Sequence, residues 1–151
     1  MSTNSEWVVG PQGPLRSTPY PLLNTIALRA LEQATAATLP PHTLMQRAGL
    51  AMAQLTLAYA PHAQTIWIAC GGGNNGGDGL VVARKLSEQG WPVTVALWAP
   101  AADVKGDALH HARLWLQAQA TAPTAARTVP LAELSLNGCA LVVDALFGAG
   151  L

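Results

Sequence analysis

The sequence is poor in cysteine and carries no net charge. Its two cysteines, Cys70 and Cys139, are far apart and form no CxxC pair. A disulfide framework or a zinc site is therefore disfavoured, and both residues are expected to be reduced, partly buried thiols. Eight Lys and Arg residues balance eight Asp and Glu residues, and no basic cluster breaks this balance. A nucleic-acid partner is therefore disfavoured.

Long apolar runs are also absent. The N-terminus has no basic start followed by an apolar core, and nowhere do about 18 apolar residues follow one another. A soluble, cytoplasmic protein without a membrane partner is expected. The 151 residues, 50% of them hydrophobic, are enough for one domain with a substantial core.

Hydrophobic periodicity divides the chain. Residues 1–21 contain prolines and glycines without periodicity and predict a flexible lead segment, which is followed by one domain over residues 22–151. Helical spacing and short apolar runs predict alternating elements. Helices are predicted over about 22–39, 43–60 with Thr43 as cap, 79–89 and 107–120, and strands over 65–70, 92–98, around 127–129 and 139–146. This order predicts a parallel α/β sheet with right-handed crossovers.

The segment CGGGNNGGDGLV, residues 70–81, contains six glycines, two asparagines and one aspartate. In open α/β sheets the loops after the strands face the ligand crevice, so this segment and the FGAG loop after Leu146 are expected at one sheet edge. Glycines allow an anion to approach the free amides of a helix N-terminus. Phosphate is therefore the predicted ligand group.

Two known phosphate-binding motifs fit this segment poorly. Gly71, Gly73 and Gly76 satisfy GxGxxG, but the match is weak in so glycine-rich a stretch. The second predicted strand also lacks the terminal acidic residue that binds a ribose hydroxyl, so an ordinary NAD dehydrogenase is disfavoured. A P-loop is excluded because Asp78 stands where lysine is required.

Three polar residues near these loops each have two interpretations. Asn75 either closes a turn or presents its carbonyl oxygen to a hard cation. Asp78 either caps the helix predicted beside it or belongs to the site. Asp144 ends an apolar strand and is expected to be hydrogen-bonded, neutralised or paired, because a buried unpaired carboxylate is costly. It either belongs to the site or caps the FGAG turn.

Other candidates have weaker signals. His110 and His111 are adjacent on a predicted helix without a partner at ligand spacing, so an exposed or half-buried position is favoured over metal binding. His42, beside a proline, has no predicted role. Trp98 is predicted to pack in the core or at its edge, with stacking on a ligand ring as the alternative.

Together, CGGGNNGGDGLVVARKL, VVDALFGAGL and the preceding LMQRAG resemble the YjeF-N domain family, whose enzymatic members are NAD(P)H-hydrate epimerases. The resemblance spans most of residues 22–151, and KGDA at residues 105–108 also resembles a family segment. Gly72 is a departure, since family members often carry proline or another residue there.

The resemblance implies a Rossmann-like three-layer αβα fold with a mostly parallel sheet, here truncated after its fourth strand. It implies an enzyme that interconverts the R and S forms of hydrated NADH or NADPH, with a bound potassium ion, a homodimeric state and a separate or fused dehydratase as partner. By position it implies potassium ligands at Asn75 and Asp144, and substrate contacts at Asn74, Asn75, Gly76, Gly77, Asp78, Gly148, Ala149, Gly150 and Leu151.

Three matters stay open at this point. Asp144 is the only well-placed candidate for proton transfer, yet a carboxylate held by a cation has a depressed pKa and is a poor base. Family domains continue past the DALFG strand, so an amino-terminal part of a longer enzyme is expected. The alternative to an enzyme is a non-catalytic scaffold that binds a nucleotide or partner, but the retained NNGGDG segment and Asp144 favour the enzyme.

Overall fold

The computed structural model describes residues 9–10, 13–14, 22–62, 64–100, 103–122 and 125–148. Most of the predicted lead segment lies outside these ranges, so the domain division at residue 22 stays a prediction. Within that segment, two short strands, β1 (Val9–Gly10) and β2 (Gly13–Pro14), pair in antiparallel fashion.

From residue 22 onward, helices and strands follow the order that periodicity predicts. The helices are α1 (Thr25–Ala36), α2 (Thr43–Tyr59), α3 (Asn74–Ser87) and α4 (Gly106–Thr121). The strands are β3 (Ile66–Cys70), β4 (Val93–Leu97), β5 (Ala126–Pro130) and β6 (Leu141–Ala145). The weakly signalled strand near residue 127 is thereby confirmed.

Strands β3 to β6 form one parallel sheet in the order β5-β4-β3-β6. Helix α3 connects β3 to β4 and α4 connects β4 to β5, and the two helices pack against each other. Helix α3 packs between α2 and α4 in a helical layer. The chain then returns to place β6 beside β3. The predicted α/β class with a parallel sheet is confirmed.

The core lies between this helical layer and the sheet. Strands β3 and β4 are almost wholly apolar, with the buried Thr94 as the exception, as is typical of central strands in a parallel sheet. The largest buried side chain is that of Trp115, whose Nε1 donates a hydrogen bond to Thr128 Oγ1 at 2.8 Å. The fully buried residues around it include Ile66, Ile68, Cys70, Val81, Val82, Leu86, Val93 and Val95.

The start of α3 and the cap of α2 differ from the predictions. Helix α3 starts at Asn74 rather than Gly79, so the NNGGDG segment is helical and not a loop. Glycine disfavours helix, so periodicity alone places this start too late. Helix α2 starts at Thr43, whose hydroxyl donates to the Pro40 carbonyl at 2.7 Å, while His42 is the N-cap with a φ of 64°. Thr43 is therefore the first helical residue and not the cap.

Both cysteines are free thiols, as predicted: Cys70 is buried and Cys139 is half-buried. Burial raises the pKa of the Cys70 thiol to about 12, so this side chain stays protonated and packs as a small apolar group. Among the helices in the described ranges, none is both long enough and apolar enough to span a bilayer.

Candidate functional site

The carboxyl ends of β3 and β6 lie side by side. Cys70 is opposite Ala145 in the register, and the Gly71 amide donates a hydrogen bond to the Ala145 carbonyl at 3.0 Å. A side chain at Gly71 would collide with the Leu146 carbonyl, so this close approach requires glycine. The loops after the two strands are therefore neighbours, which confirms the prediction that they share one sheet edge.

Helix α3 begins at this edge. Gly73 is its N-cap, and the first intrahelical hydrogen bond runs from the Gly77 amide to the Gly73 carbonyl at 3.0 Å. The amides of residues 74–76 precede that bond and have no backbone acceptor among the described residues. Free amides and the positive end of the helix dipole make this helix end suitable for an anionic group.

Three glycines of α3 are required by packing. A Cβ at Gly76 would overlap the backbone of the preceding loop, and one at Gly77 would lie 2.5 Å from Met45 Sδ. A Cβ at Gly79 would lie 2.7 Å from the Cβ of Ala145. By contrast, a Cβ at residues 72–73 would meet no atom within 4 Å. The glycines thus serve two purposes: residues 72–73 leave open space, and the later ones let α3 approach the sheet and α2.

A cavity of about 510 Å³ opens at the N-terminus of α3. This volume lies within the range of small-molecule sites. Three segments meet around it, of which the α1 segment is distant in sequence and was not predicted to contribute. The lining residues are Thr25, Leu28, Arg29 and Glu32 from α1, Gly72, Gly73, Asn74, Asn75 and Asp78 from the glycine segment, and Leu146, Phe147 and Gly148 after β6.

Asn75 joins two of these segments. Its Nδ2 donates a hydrogen bond to the Phe147 carbonyl at 2.9 Å, and a Cβ added at Gly148 would lie 3.3 Å from the Asn75 Cβ. Because the amide nitrogen is engaged, Oδ1 is the polar atom left for a ligand, and it has no partner among the described residues. The structure therefore brings Asn75 and Gly148 together, as is expected of two residues that contact the same substrate.

An aromatic pair lies beside the cavity. The rings of Phe147 and Trp98 meet edge to face with 5.7 Å between centroids. Both side chains are exposed, Phe147 by 53% and Trp98 by 61%. Of the two positions predicted for Trp98, the core is wrong and the edge of the core fits, because β4 ends at Leu97 and the exposed ring meets Phe147.

Asp78 lines the cavity from within α3 and does not cap that helix, whose N-cap is Gly73. Its half-buried carboxyl has no hydrogen-bond partner among the described residues. Burial, and after it the negative charge of Glu32, raises the pKa of the Asp78 carboxyl from 3.8 to about 6. An acid that titrates near neutrality inside a cavity is a candidate for proton transfer. Sequence alone has no signal for this, because the raised pKa depends first on burial and then on the charge of Glu32, and both arise only in the folded structure.

Asp144 is exposed, and its Oδ1 accepts a hydrogen bond from the Leu146 amide at 3.0 Å. It therefore caps the turn after β6, and the expected hydrogen bond is confirmed, although the carboxylate is not buried. Asp144 is not among the described residues that line the cavity. Its predicted roles stay predictions, and Ala149, Gly150 and Leu151 lie outside the described residues.

A histidine cluster at the starts of α2 and α4 was missed by the sequence analysis. His42 Nδ1 lies 2.9 Å from Asp107 Oδ1, and the His42 ring stacks on His110 with 3.9 Å between centroids. His111 is buried without a partner for either ring nitrogen among the described residues, and burial lowers its pKa. In-plane lone pairs of two parallel rings do not converge on one ion, so this stack is not a metal centre in the present conformation.

The parallel sheet, the helix N-terminus at its carboxyl edge and the adjoining cavity define a Rossmann-like α/β domain with a ligand crevice at that edge. More specifically, the chain belongs to the family of YjeF-related protein N-termini, whose sequence profile matches residues 41–151. The resemblance seen in the NNGGDG and DALFG segments is thereby confirmed.

Named relatives and a solved structure are consistent with this membership. The chain is 37% identical over 139 residues to the NAD(P)H-hydrate epimerase of Rhodobacter capsulatus, covering 86% of this chain and 63% of that protein. It is 40% identical over 125 residues to the bifunctional NAD(P)H-hydrate repair enzyme Nnr of Coxiella burnetii, covering 82% and 24%. The crystal structure of yeast ynu0 has the same fold, with a TM-score of 0.70 at 19% identity over 87% of this chain and 58% of that one. The chain therefore spans less than two thirds of the length of these relatives.

Proposed function

We propose that the protein interconverts the R and S forms of hydrated NADH and NADPH. The observation that carries this proposal is the cavity at the start of α3, where three free amides, the Asn75 side chain and the Asp78 carboxyl adjoin. The names of the relatives at 37% and 40% identity, an epimerase and a hydrate repair enzyme, support it.

Each part of the cavity matches a part of this substrate. The free amides of residues 74–76 suit a phosphate of the dinucleotide. The exposed Phe147 ring offers an apolar surface for the nicotinamide or adenine ring. On this proposal Asn74, Asn75 and Asp78 contact substrate from one side, and Gly148 with residues 149–151 contacts it from the other. Gly76 and Gly77 contribute only backbone atoms, because other protein atoms fill the space where a side chain would start.

We also propose potassium as the cofactor, with Asn75 and Asp144 as ligands. The donor chemistry fits, because Asn75 Oδ1 and Asp144 Oδ2 are oxygens without a hydrogen-bond partner among the described residues. When bound, the ion would offset negative charge of the substrate phosphates. The role of the two residues is to hold the α3 start and the β6 turn at a fixed separation.

We also propose two partners, a second copy of the chain in a homodimer and a dehydratase. Helix α2 exposes Met52, Leu55 and Tyr59 at helical spacing, and this exposed apolar stripe supports a second copy as partner. The dehydratase is separate or fused, as the bifunctional name of the Coxiella relative suggests for that protein. Because NADH and NADPH are used in the cytoplasm, we place the activity there.

The test follows the interconversion of separated R and S forms of hydrated NADPH by chromatography, with the intact natural protein in potassium and in sodium buffer. We expect rapid interconversion in potassium, and its loss in Asp144→Asn. Asp103→Asn is the matched control, since Asp103 is an exposed acid that does not line the cavity. Thermal stabilisation by the dinucleotide without interconversion would instead identify a binding scaffold.

A further inference from the structure

Asp78 and Glu32 lie at the junction of two cavities. Both line the cavity of about 510 Å³ at the start of α3, and both also line a second cavity of about 700 Å³ between α1 and α2. Arg29 and Asn74 are the other residues common to the two linings. A ligand that extends from one cavity to the other would therefore lie beside these four shared residues, Asp78 among them.

The surroundings of Asp78 are those of a proton-transfer group. Its carboxyl is half-buried and has no hydrogen-bond partner among the described residues, so both oxygens are available. The charged groups that line the two cavities with it are Arg29 and Glu32 on α1 and Asp107 on α4. Burial and the Glu32 charge raise the pKa of Asp78 to about 6, and a group with a pKa near the working pH is the most effective acid or base.

Asp144 is less suited to the same task. It is exposed, it does not line the cavity, and one carboxylate oxygen already accepts the Leu146 amide. As a ligand of a cation it would also have a depressed pKa and be a weak base. The two aspartates thus differ in environment, and their roles are expected to differ accordingly.

We propose that Asp78 is the group that transfers the proton in the epimerisation, and that Glu32 is a positioning residue that acts through Asp78. This inference rests on the proposed function and goes beyond substrate contact. Water added to a nicotinamide double bond beside the ring nitrogen leaves a carbon that carries both a hydroxyl group and that nitrogen.

One carboxylate is enough for both proton transfers of this step. Asp78 takes the hydroxyl proton as the carbon–nitrogen bond breaks, which yields an aldehyde. The bonding pair of the broken bond goes to the nitrogen, and the Asp78 carboxyl returns the proton there. Rotation about the neighbouring carbon–carbon bond presents the other face of the aldehyde. Reversal of the same transfers then closes the ring as the other epimer, with no oxidant, reductant or net proton change.

The test uses the intact natural protein and hydrated NADPH as substrate. For Asp78→Asn we expect kcat to fall by about 10²- to 10⁴-fold, the usual contribution of general acid–base catalysis, with KM within a few-fold of wild type. In the wild type, kcat/KM should rise with pH through about 6, the pKa of Asp78. In Glu32→Gln this rise should move to lower pH, because a negative neighbour has been removed.

Two further measurements distinguish the loss of a proton-transfer group from a general effect of mutation or from misfolding. Glu133→Gln, an exposed acid away from both cavities, should match wild type in rate and pH profile. If Asp78→Asn fails to fold, as judged by circular dichroism, the shifted pH profile of Glu32→Gln decides the question. Glu32 is exposed on α1, so this variant should fold.

The two proposals fail in different ways. A wild-type protein that does not interconvert the epimers refutes the proposed function and the role of Asp78 with it. An active wild type whose Asp78→Asn variant keeps both rate and pH profile refutes the role of Asp78 alone. A Glu32→Gln variant whose profile still rises at the wild-type pH refutes the positioning role of Glu32.

Discussion

The side-chain amide of Asn75 donates a hydrogen bond of 2.9 Å to the carbonyl of Phe147, a residue 72 positions further along the chain. This bond joins the first turn of α3 to the loop after β6 at the point where the cavity opens. It leaves Asn75 Oδ1 free and sets the position of Phe147, so one side chain contributes to both walls of the site.

Asn75→Ala should therefore weaken the site more than the fold. Loss of one hydrogen bond costs about 1 kcal/mol of unfolding free energy, measured by urea denaturation. Dinucleotide affinity should fall at least about tenfold, since a further 1.4 kcal/mol or more of loop positioning and ligand contact is lost. Asn137→Ala is the control, because Asn137 is exposed and distant from the cavity. Equal affinities of the two variants would contradict the role given to Asn75.

Gly79→Ala should destabilise the protein although alanine favours helix. The added methyl group would lie 2.7 Å from the Ala145 Cβ and 2.8 Å from Cys70 Sγ, in a core that has no room to shift. Overpacking of this kind costs about 1–3 kcal/mol. Gly72→Ala, where no atom lies within 4 Å, is the matched control and should change stability by less than about 0.5 kcal/mol. Similar denaturation midpoints for both variants would show that α3 is less closely packed than described.

Asp78→Asn should stabilise the fold above pH 6. The folded state holds the Asp78 pKa at about 6 against an ordinary value of 3.8, so the unfolded chain releases this proton at lower pH. Wild-type stability therefore declines as pH rises from about 4 to about 6, and the variant lacks this decline. Because the carboxyl is only half-buried, solvent screening limits the expected gain to about 1 kcal/mol. Denaturation at pH 4 and pH 7.5 tests this, and a gain of equal size at both would contradict it.

His111→Leu should reduce the acid sensitivity of the protein. Burial lowers the pKa of His111 below 6.5, so the unfolded chain binds a proton that the folded chain does not. Wild-type stability should therefore fall as pH drops below 6.5, by up to about 1.4 kcal/mol per pH unit. His62→Leu, at an exposed loop position, is the control. The difference between the two variants is measured from pH 7.5 to pH 5.5, and no difference would indicate that His111 reaches solvent in the native state.

Three strands were predictable because each comes from a short apolar run. The runs TIWIAC and PVTVALW form the buried central strands β3 and β4, and CALVVDAL forms the edge strand β6, all within a residue or two of the predicted bounds. The start of α3 was not predictable from the same patterns, because residues 74–79 contain three glycines with poor helix propensity. The glycines are needed there because a Cβ at these positions would collide with Met45, Ala145 or the Gly71 backbone.

The site, like the fold, was only partly predictable from the sequence. NNGGDG and the loop after β6 were predicted to be neighbours, since both follow strands that end at one edge. The contribution of α1 and the raised pKa of Asp78 were not predicted, because the sequence shows neither the burial of the Asp78 carboxyl nor its nearness to Glu32. The stacked pair of His42 and His110 was missed for the same reason, since the two residues come from different helices.

The sequence by itself thus determined the class of fold, the order of its elements and the family, because these depend on local patterns of apolar residues and on one unusual glycine-rich segment. The tertiary structure alone decided which glycines leave room for a ligand and which permit close packing. It also decided which aspartate lies in the cavity and which caps a turn. Burial and the charge of a distant residue set the properties of a carboxyl group, and both exist only after the chain has folded.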